Sequence, residues 1–590
     1  MKRCPECRRD YYDDTLLYCL EDGNALVQGS VPSPDEPATA ILSVPPAAVA
    51  GSGSTGTSFV PEPGGLSQPT DETDVKTAIL QPPATAGGSD RRAKPLITAA
   101  LAVALLVVGF VGYRYLSSAG GGQINSIAVM PFVNESGNAD VEYLSDGMTE
   151  TLISSLSNIP NLSVKARSTV FYYKGKDASP KKIGEELKVQ AVLLGRVSQR
   201  GDDLKLSLEL VNTETQDVIW SEQYNRKQSD LVSLQSEIAK TVSDKLRSKL
   251  TAIEQERVSK TNTTSSEAQQ LYLKGRFHWN KRKTEDFQKA REYFQQAIAV
   301  DPNYALAHTG LADTLALMPY YGAFRPNEYM PLAKQAVQKA LEIDPNLAEA
   351  HASLGQILTN YDYDLKGAER ELKRSIELDP KYPSAYQWLA EVYHFSGNGD
   401  QALSEINKAI ELDPLSMVIN NQKGRVIELG GKRDEAIAQF KKTIELFPDA
   451  PSPRHNLADV YEAKGMYSEA VEQRLIQIKL LFGVSPENIK DLQLAFEKDG
   501  YKGFVQKQID IQLDSQRSSL EKDKNAYLPA FRIAVDYARL GDKDKAFEYL
   551  NKAYDQREPQ IAELKIRLPL SSLRDDPRFK ELVRRVGIPE

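Results

Sequence analysis

The spacing of apolar and polar residues changes character along the chain and divides it into zones. From Pro95 to Tyr113, within RRAKPLITAALAVALLVVGFVGYRYL, 19 consecutive residues carry no charge. At about 1.5 Å per residue a helix of that length spans about 28 Å, close to the hydrocarbon thickness of a bilayer. Its uniform apolarity and charged borders set it apart from a buried core helix. The ninety or so residues ahead of it set it apart from a signal peptide. The pattern predicts a transmembrane helix over residues 95–116. From about 123 to 257 the period changes. INSIAVMPFVN, an apolar run closed by Pro131 and Asn134, predicts a buried strand. VEYLSDGMTETLISSLSNI predicts an amphipathic helix, with Ser145 to Gly147 resembling a helix-start signal, and NLSVKA a short strand. In SPKKIGEELKV, Ser179 is placed as N-cap and Pro180 in the first turn. AVLLGRVSQRGDDLKLSLELVNTETQDVIWSEQY predicts three strands, the first pair joined by a Gly-Asp turn. SDLVSLQSEIAKTVSDKLRSKL predicts a long amphipathic helix capped by Ser229 or Asp230. Strands and helices mixed on this scale make one α/β domain.

From about Ser266 to the end the pattern is helical and repeats. Asp301-Pro302, Asp344-Pro345, Asp379-Pro380, Asp413-Pro414 and Phe447-Pro448 recur at intervals of 43, 35, 34 and 34 residues. A period of about 34 is the tetratricopeptide signature. In AYQWLAEVYHFSGNGDQALSEINKAIELDP the residues Leu389, Ala390, Tyr393, Gly397, Ala402, Ile406 and Ala409 fall on the packing positions of such a repeat. The prolines turn the chain toward the next repeat because they cannot continue a helix. Phe294, Ala297, Val337, Ala340 and Phe440 hold equivalent places. Gly465, Tyr467 and Ala470 mark a further repeat; Tyr537, Gly541, Ala546, Leu550 and Ala553 mark a last, more distant one. LMPYYGAFRPNE predicts a longer first helix or a longer loop in the 43-residue unit, and about 481–524 follows no repeat. Repeated helix pairs predict an all-α solenoid over 266–590.

Composition adds the setting. Between 28 and 94 the chain is dominated by Pro, Gly, Ser, Thr and Ala, as in GSGSTGTSFVPEPGG, and has too few large apolar residues to offset ordering entropy. It reads as a flexible tether. Arg91, Arg92 and Lys94 precede the apolar span, whereas after Arg114 no Lys or Arg appears until Lys165. The positive-inside rule then places the N-terminus in the cytoplasm and the C-terminal domains beyond a bacterial inner membrane. The net charge of −8 argues against a nucleic-acid partner. No Gly-rich phosphate loop with its Lys-Ser/Thr, no kinase motif set and no paired nucleophile and base stand out, so no catalytic residue, small-molecule substrate or enzyme activity is expected. His308 and His351 occupy one repeat position, which assigns them to the repeat rather than to a metal.

The three cysteines all precede residue 20, which excludes a disulfide framework. MKRCPEC…YYDDTLLYCLEDGNAL resembles a zinc-ribbon or rubredoxin-type knuckle over residues 1–27, with Gly23 where the motif has its glycine. The resemblance implies a structural zinc held by Cys4, Cys7, Cys19 and Asp22, the carboxylate standing where a second C-x-x-C has its thiolate. A degenerate turn with reduced thiols is the other reading. The stretch IAVMPFVNESGNADVEYLSDGMTETLISSLS, with SVKARSTVFYYKGK and VLLGRVSQRGDDLKLSLELVNTETQDVIWSEQY, resembles the TolB N-terminal-like domain of bacterial signalling proteins. That likeness implies a non-catalytic α/β domain over 123–257 between a membrane helix and helical repeats. LYLKGRFHWNKRKTEDFQKAREYFQQAIAVDP and LRDDPRFKELVRRVGI resemble the opening and close of the repeat arrays that follow such domains. The expectation is a membrane-anchored scaffold that binds proteins or peptides through its repeats, in signalling or envelope assembly. The alternative is a regulator coupling external binding to a cytoplasmic partner of the knuckle.

Overall fold

The computed structural model describes residues 2–3, 10–11, 27–28, 124–138, 141–246, 251, 261–321, 324–481 and 484–589. The chain divides into two units, Met1–Ala99 and Ala100–Glu590. In the first, β1 (Lys2–Arg3) pairs antiparallel with both β2 (Asp10–Tyr11) and β3 (Val27–Gln28). The predicted ligands Cys4, Cys7, Cys19 and Asp22 lie outside the described residues, as do the tether beyond Gln28 and the predicted span 95–116. Among the described residues no helix is long and apolar enough to cross a membrane.

The second unit opens with the α/β domain. Its mixed sheet runs in the order β6 (Ser163–Val164), β4 (Ser126–Val129), β7 (Ala191–Arg200), β8 (Asp203–Asn212) and β9 (Val218–Lys227), with the two-residue β5 (Val133–Asn134) also on β7. β4, β5 and β6 enter parallel pairings, whereas β7, β8 and β9 form an antiparallel meander. The Gly-Asp turn is where the sequence predicts it, because Gly201 adopts φ 59°, open to glycine without a Cβ clash. In β8, Leu204, Leu206, Leu208 and Leu210 alternate inward onto helices Glu142–Ser157 and Leu231–Leu246. Ser179 caps helix Pro180–Leu187, its Oγ accepting from Lys182 N at 3.3 Å. A 3₁₀ turn, Gln228–Asp230, leads into Leu231–Leu246. One expectation is corrected. Ser145 to Gly147 lies inside helix Glu142–Ser157 and does not start it. Gly147 is where Leu273 of helix Ser266–Asn280 crosses, and an added Cβ there would come within 2.9 Å of that side chain.

Helix pairs then stack one on the next. Ala305–Tyr321 with Pro326–Ile343, Pro383–Phe395 with Gly399–Leu412, Met417–Leu429 with Arg433–Leu446, and Pro451–Ala463 with Tyr467–Leu480 are typical units. The 43-residue unit takes its extra length in its helices, which are 17 and 18 residues against 13 and 14 in Pro383–Leu412. The packing positions read from the sequence are buried, Ala390, Ala402, Ile406 and Ala409 completely. The inter-repeat turn shows why Asp-Pro recurs. Asp301, Asp344 and Asp379 each accept at Oδ1 from the backbone N–H two residues on, at 2.9–3.0 Å. Seven residues after each Asp or Phe of the turn, a side chain reaches back to the proline carbonyl. His308, His351, Tyr386, Asn420 and Arg454 donate to Pro302, Pro345, Pro380, Pro414 and Pro448 at 2.9–3.1 Å. Five residue types make one bond, which is the structural reason for the two equivalent histidines. The irregular stretch is a 37-residue helical run, Pro486–Lys522, broken at Gly500 with φ 64°. Helices Phe531–Leu540 and Lys543–Asp555 form the last repeat, and short turns with helix Pro577–Val586 close the stack.

Candidate functional site

The first helix of each repeat turns one face to the inside of the stack. Counting from the Asp or Phe of each turn, the eighth residues are Thr309, Ala352, Gln387, Asn421 and His455, and the twelfth are Asp313, Gln356, Glu391, Arg425 and Asp459. All but Ala352 and Asp459 line one continuous groove of about 3290 Å³. Small-molecule pockets are typically about 300–1,000 Å³, so a macromolecular segment fits the scale. A polar row repeated at the packing period is what a solenoid offers to an extended ligand. The side-chain amides carry both donors and acceptors, as a peptide backbone requires. Trp388 and Tyr382 add aromatic walls.

Charge varies along the groove. Burial pushes the carboxyls of Asp313 and Glu349 upward, the Ser353 hydroxyl opposing this at Asp313. Burial, with Arg425 opposing and Glu563 adding, pushes Glu391 up to about 7. Arg425 pairs with Glu563 at 3.0 Å. Farther along, one buried carboxylate, Asp459, takes three guanidiniums: Arg474, Arg539 at 2.6 Å and Arg567 at 3.1 Å. Burial alone would raise Asp459, but Arg567, Arg474 and Arg539 overcome it and hold the carboxyl well below its usual range. Arg539 also binds Glu462 at 2.9 Å and Asp536 at 2.6 Å. Burial and neighbouring Arg474 hold the His455 ring well below its usual range, so it is neutral at pH 7.

The α/β domain abuts the turn side of the repeats. Lys381, two residues past Asp379, sends its ammonium to the carbonyls of Ser157, Ile159 and Leu162 at 2.9, 2.8 and 3.0 Å, capping helix Glu142–Ser157. Asp413 accepts from Ser168 Oγ and, at 2.7 Å, from Thr169 Oγ1, which in turn accepts from Leu415 N at 3.2 Å. Tyr172 packs edge-on to Phe447 with centroids 6.0 Å apart. Glu150 bridges Arg167 at 3.0 Å and Arg276 at 2.6 Å. Three successive repeat turns thus hold one domain.

None of the residues in this groove stood out as a site in the sequence. The signal was present: the eighth and twelfth positions are polar where the packing positions are apolar. The arginine cluster had no such signal, because Arg474, Arg532, Arg539 and Arg567 come from unlike positions in different helices and turns. Among the described residues no group of three or more His, Cys, Asp or Glu could hold a metal ion.

Comparison with known proteins agrees on the repeats. Models of the tetratricopeptide repeat match residues 279–317 and 361–417, so the solenoid is built of tetratricopeptide repeats. Residues 123–241 match the model of the HilA/YgeH-like transcriptional regulator, second domain, a different name from that given by the TolB-like resemblance over the same domain. A protein named "Putative adenylate cyclase 3" from Rhizobium meliloti (strain 1021) is 34% identical over 187 residues, 32% of this chain and 32% of that protein. The chain therefore matches about a third of the length of this curated relative. Among solved structures, PilF of Pseudomonas aeruginosa is 19% identical, covering 36% of this chain and 91% of that one with a TM-score of 0.28. A thermophilic TPR protein of Thermus thermophilus is 24% identical, covering 30% of this chain and 92% of that one with a TM-score of 0.26.

Proposed function

We propose that the chain is a non-enzymatic scaffold that holds an extended segment of a protein partner in the groove of its repeats. The observation that carries this reading is the groove itself, about 3290 Å³ and lined by polar residues at the repeat period. Gln387 and Asn421 offer amides to a peptide backbone, and the aromatic walls offer apolar contact. The reading keeps the chain in a bacterial inner membrane by residues 95–116, with the first 27 residues cytoplasmic and the α/β domain and repeats on the other side. Tethering there raises the effective concentration of partners in signalling or envelope assembly. The knuckle is assigned a structural zinc on Cys4, Cys7, Cys19 and Asp22 and a docking role.

Crosslinking and affinity capture in intact cells test the scaffold. Partners captured by the full-length chain should be lost on removing 266–590, and equally on the groove substitutions Gln387→Arg with Asn421→Arg. A capture unchanged by both contradicts it. Reporter fusions after Val27 and after Glu590 test the topology; both reporting a cytoplasmic position would overturn it. A second reading, a regulator that couples groove occupancy to a cytoplasmic partner of the knuckle, is favoured by one observation. Lys381 and Asp413, on turns between groove-lining helices, bind the α/β domain directly. A partner specific to residues 1–27 would distinguish this reading.

A further inference from the structure

We propose that the C-terminal part of the groove contains a carboxylate-binding site formed by Arg532, Arg567 and His455, which selects acidic side chains or a free C-terminus in the bound segment. This rests on the reading of the groove as a polypeptide site. Three observations converge on it. The first is charge. Arg474, Arg532, Arg539 and Arg567 face three carboxylates, Asp459, Glu462 and Asp536, while the nearby Arg425 and Glu563 pair with each other at 3.0 Å. Asp459, Glu462 and Asp536 are all committed to Arg539, two of them to it alone among the four arginines. The cation left over is Arg532: its side chain is exposed within the groove and makes no hydrogen bond or ion pair among the described residues.

The second observation is a surplus of donors. His455 has a guanidinium at each ring nitrogen, Arg474 Nη1 at 2.5 Å from Nδ1 and Arg567 Nη2 beside Nε2. A neutral imidazole has one acceptor and one N–H. One guanidinium donates to the ring, and the other faces the ring N–H, so a donor is left over. The third is Arg567 Nε, buried and without an acceptor among the described residues. Buried donors of this kind are costly unless something accepts from them. An entering carboxylate supplies planar acceptors of matching geometry to a guanidinium fork. The local surplus is one positive charge, which suits a monoanionic carboxylate better than a phosphate dianion.

The test is fluorescence anisotropy on the full-length chain with three labelled decapeptides. One alternates Glu and Ala with an amidated end, one has Gln for Glu with the same end, and the third is the Gln peptide with a free C-terminus. The Glu peptide, or the free-ended Gln peptide, should bind about tenfold more tightly than the amidated Gln peptide, and the preference should shrink with added salt. Which of the two is preferred says whether a side-chain or a terminal carboxylate occupies the site. Arg532→Gln should remove the preference without moving the melting temperature, since Arg532 holds no internal partner. Arg532→Lys should restore part of it, as a charge without the fork. Equal binding of all three peptides, or a preference intact in Arg532→Gln, overturns the carboxylate site and leaves the groove reading standing. No binding of any peptide overturns both.

Discussion

Replacing Asp459 with Asn removes one charge and almost no volume, so it isolates the electrostatics of the arginine cluster. The Asp459 side chain is 6% exposed and accepts from Arg474 (5% exposed), Arg539 (4%) and Arg567 (14%). After substitution Arg539 keeps Glu462 and Asp536, and Arg567 keeps Glu563 at 3.5 Å. Arg474 loses its only carboxylate and is left beside His455 and Arg567. Breaking one side of a buried ion pair typically costs about 3–5 kcal/mol, because the remaining charge stays desolvated. That is a large share of an ordinary stability of about 5–15 kcal/mol. Urea denaturation followed by far-ultraviolet circular dichroism should show Asp459→Asn with an earlier midpoint at an unchanged slope. Adding Arg474→Met, which withdraws the stranded cation, should recover at least about 1 kcal/mol. The pH dependence has a definite sign. The folded carboxyl titrates below its unfolded value of about 3.9, so its contribution is complete above that value and is lost as pH falls below it. The difference between wild type and Asp459→Asn should therefore be constant between neutral pH and about pH 5. A loss under about 1 kcal/mol, or strictly additive single and double substitutions, would refute the charge argument.

Three further outcomes follow from other parts of the molecule. Lys381→Met strands three carbonyls at the end of helix Glu142–Ser157, at a cost of about 1–3 kcal/mol; amide exchange over Ile159–Val164 should quicken while that of Lys543–Asp555 does not, and unchanged exchange at both would refute the docking role. Gly424→Ala places a Cβ 2.4 Å from the Phe440 ring, where overpacking costs about 1–3 kcal/mol, so an unaltered melting temperature would show that the two helices have room to part. Glu391 keeps its proton in the folded chain up to about pH 7 but loses it near pH 4.3 when unfolded, so stability should fall as pH rises between those values. Glu391→Gln should flatten that slope, by about 1 kcal/mol after allowance for water in the groove, and an identical slope in wild type and variant would contradict the assignment.

The repeats were legible because they are local. Asp-Pro at a fixed interval marks turns whose hydrogen bonds span two to seven residues, and Ala390, Ala402 and Ile406 fall on a helical period. The meander β7–β9 was legible for the same reason, its Gly-Asp turn and alternating leucines being short-range signals. What joins distant parts was not. Asp413 looks in sequence like its fellow turn residues, yet its carboxylate binds Ser168 and Thr169, more than 240 positions away. Gly147 looks like a helix start because Ser-Asp-Gly favours turns, but packing against Leu273 decides its place. Gly500 breaks a 37-residue helical run whose neighbouring residues all favour helix, and no proline announces the break. The groove lay in between: its rows follow the repeat, but choosing the inward face needs the superhelix.

The central claim is that the inner face of the repeats holds a polypeptide. A photo-crosslinking residue placed at Gln387, on the groove wall, and separately at Lys408, 57% exposed on the second helix of the same repeat, tests it in living cells. The account predicts a discrete adduct from position 387, lost when Asn421→Arg is added, and none from 408. Adducts of equal yield from both positions, or from 408 alone, would contradict it.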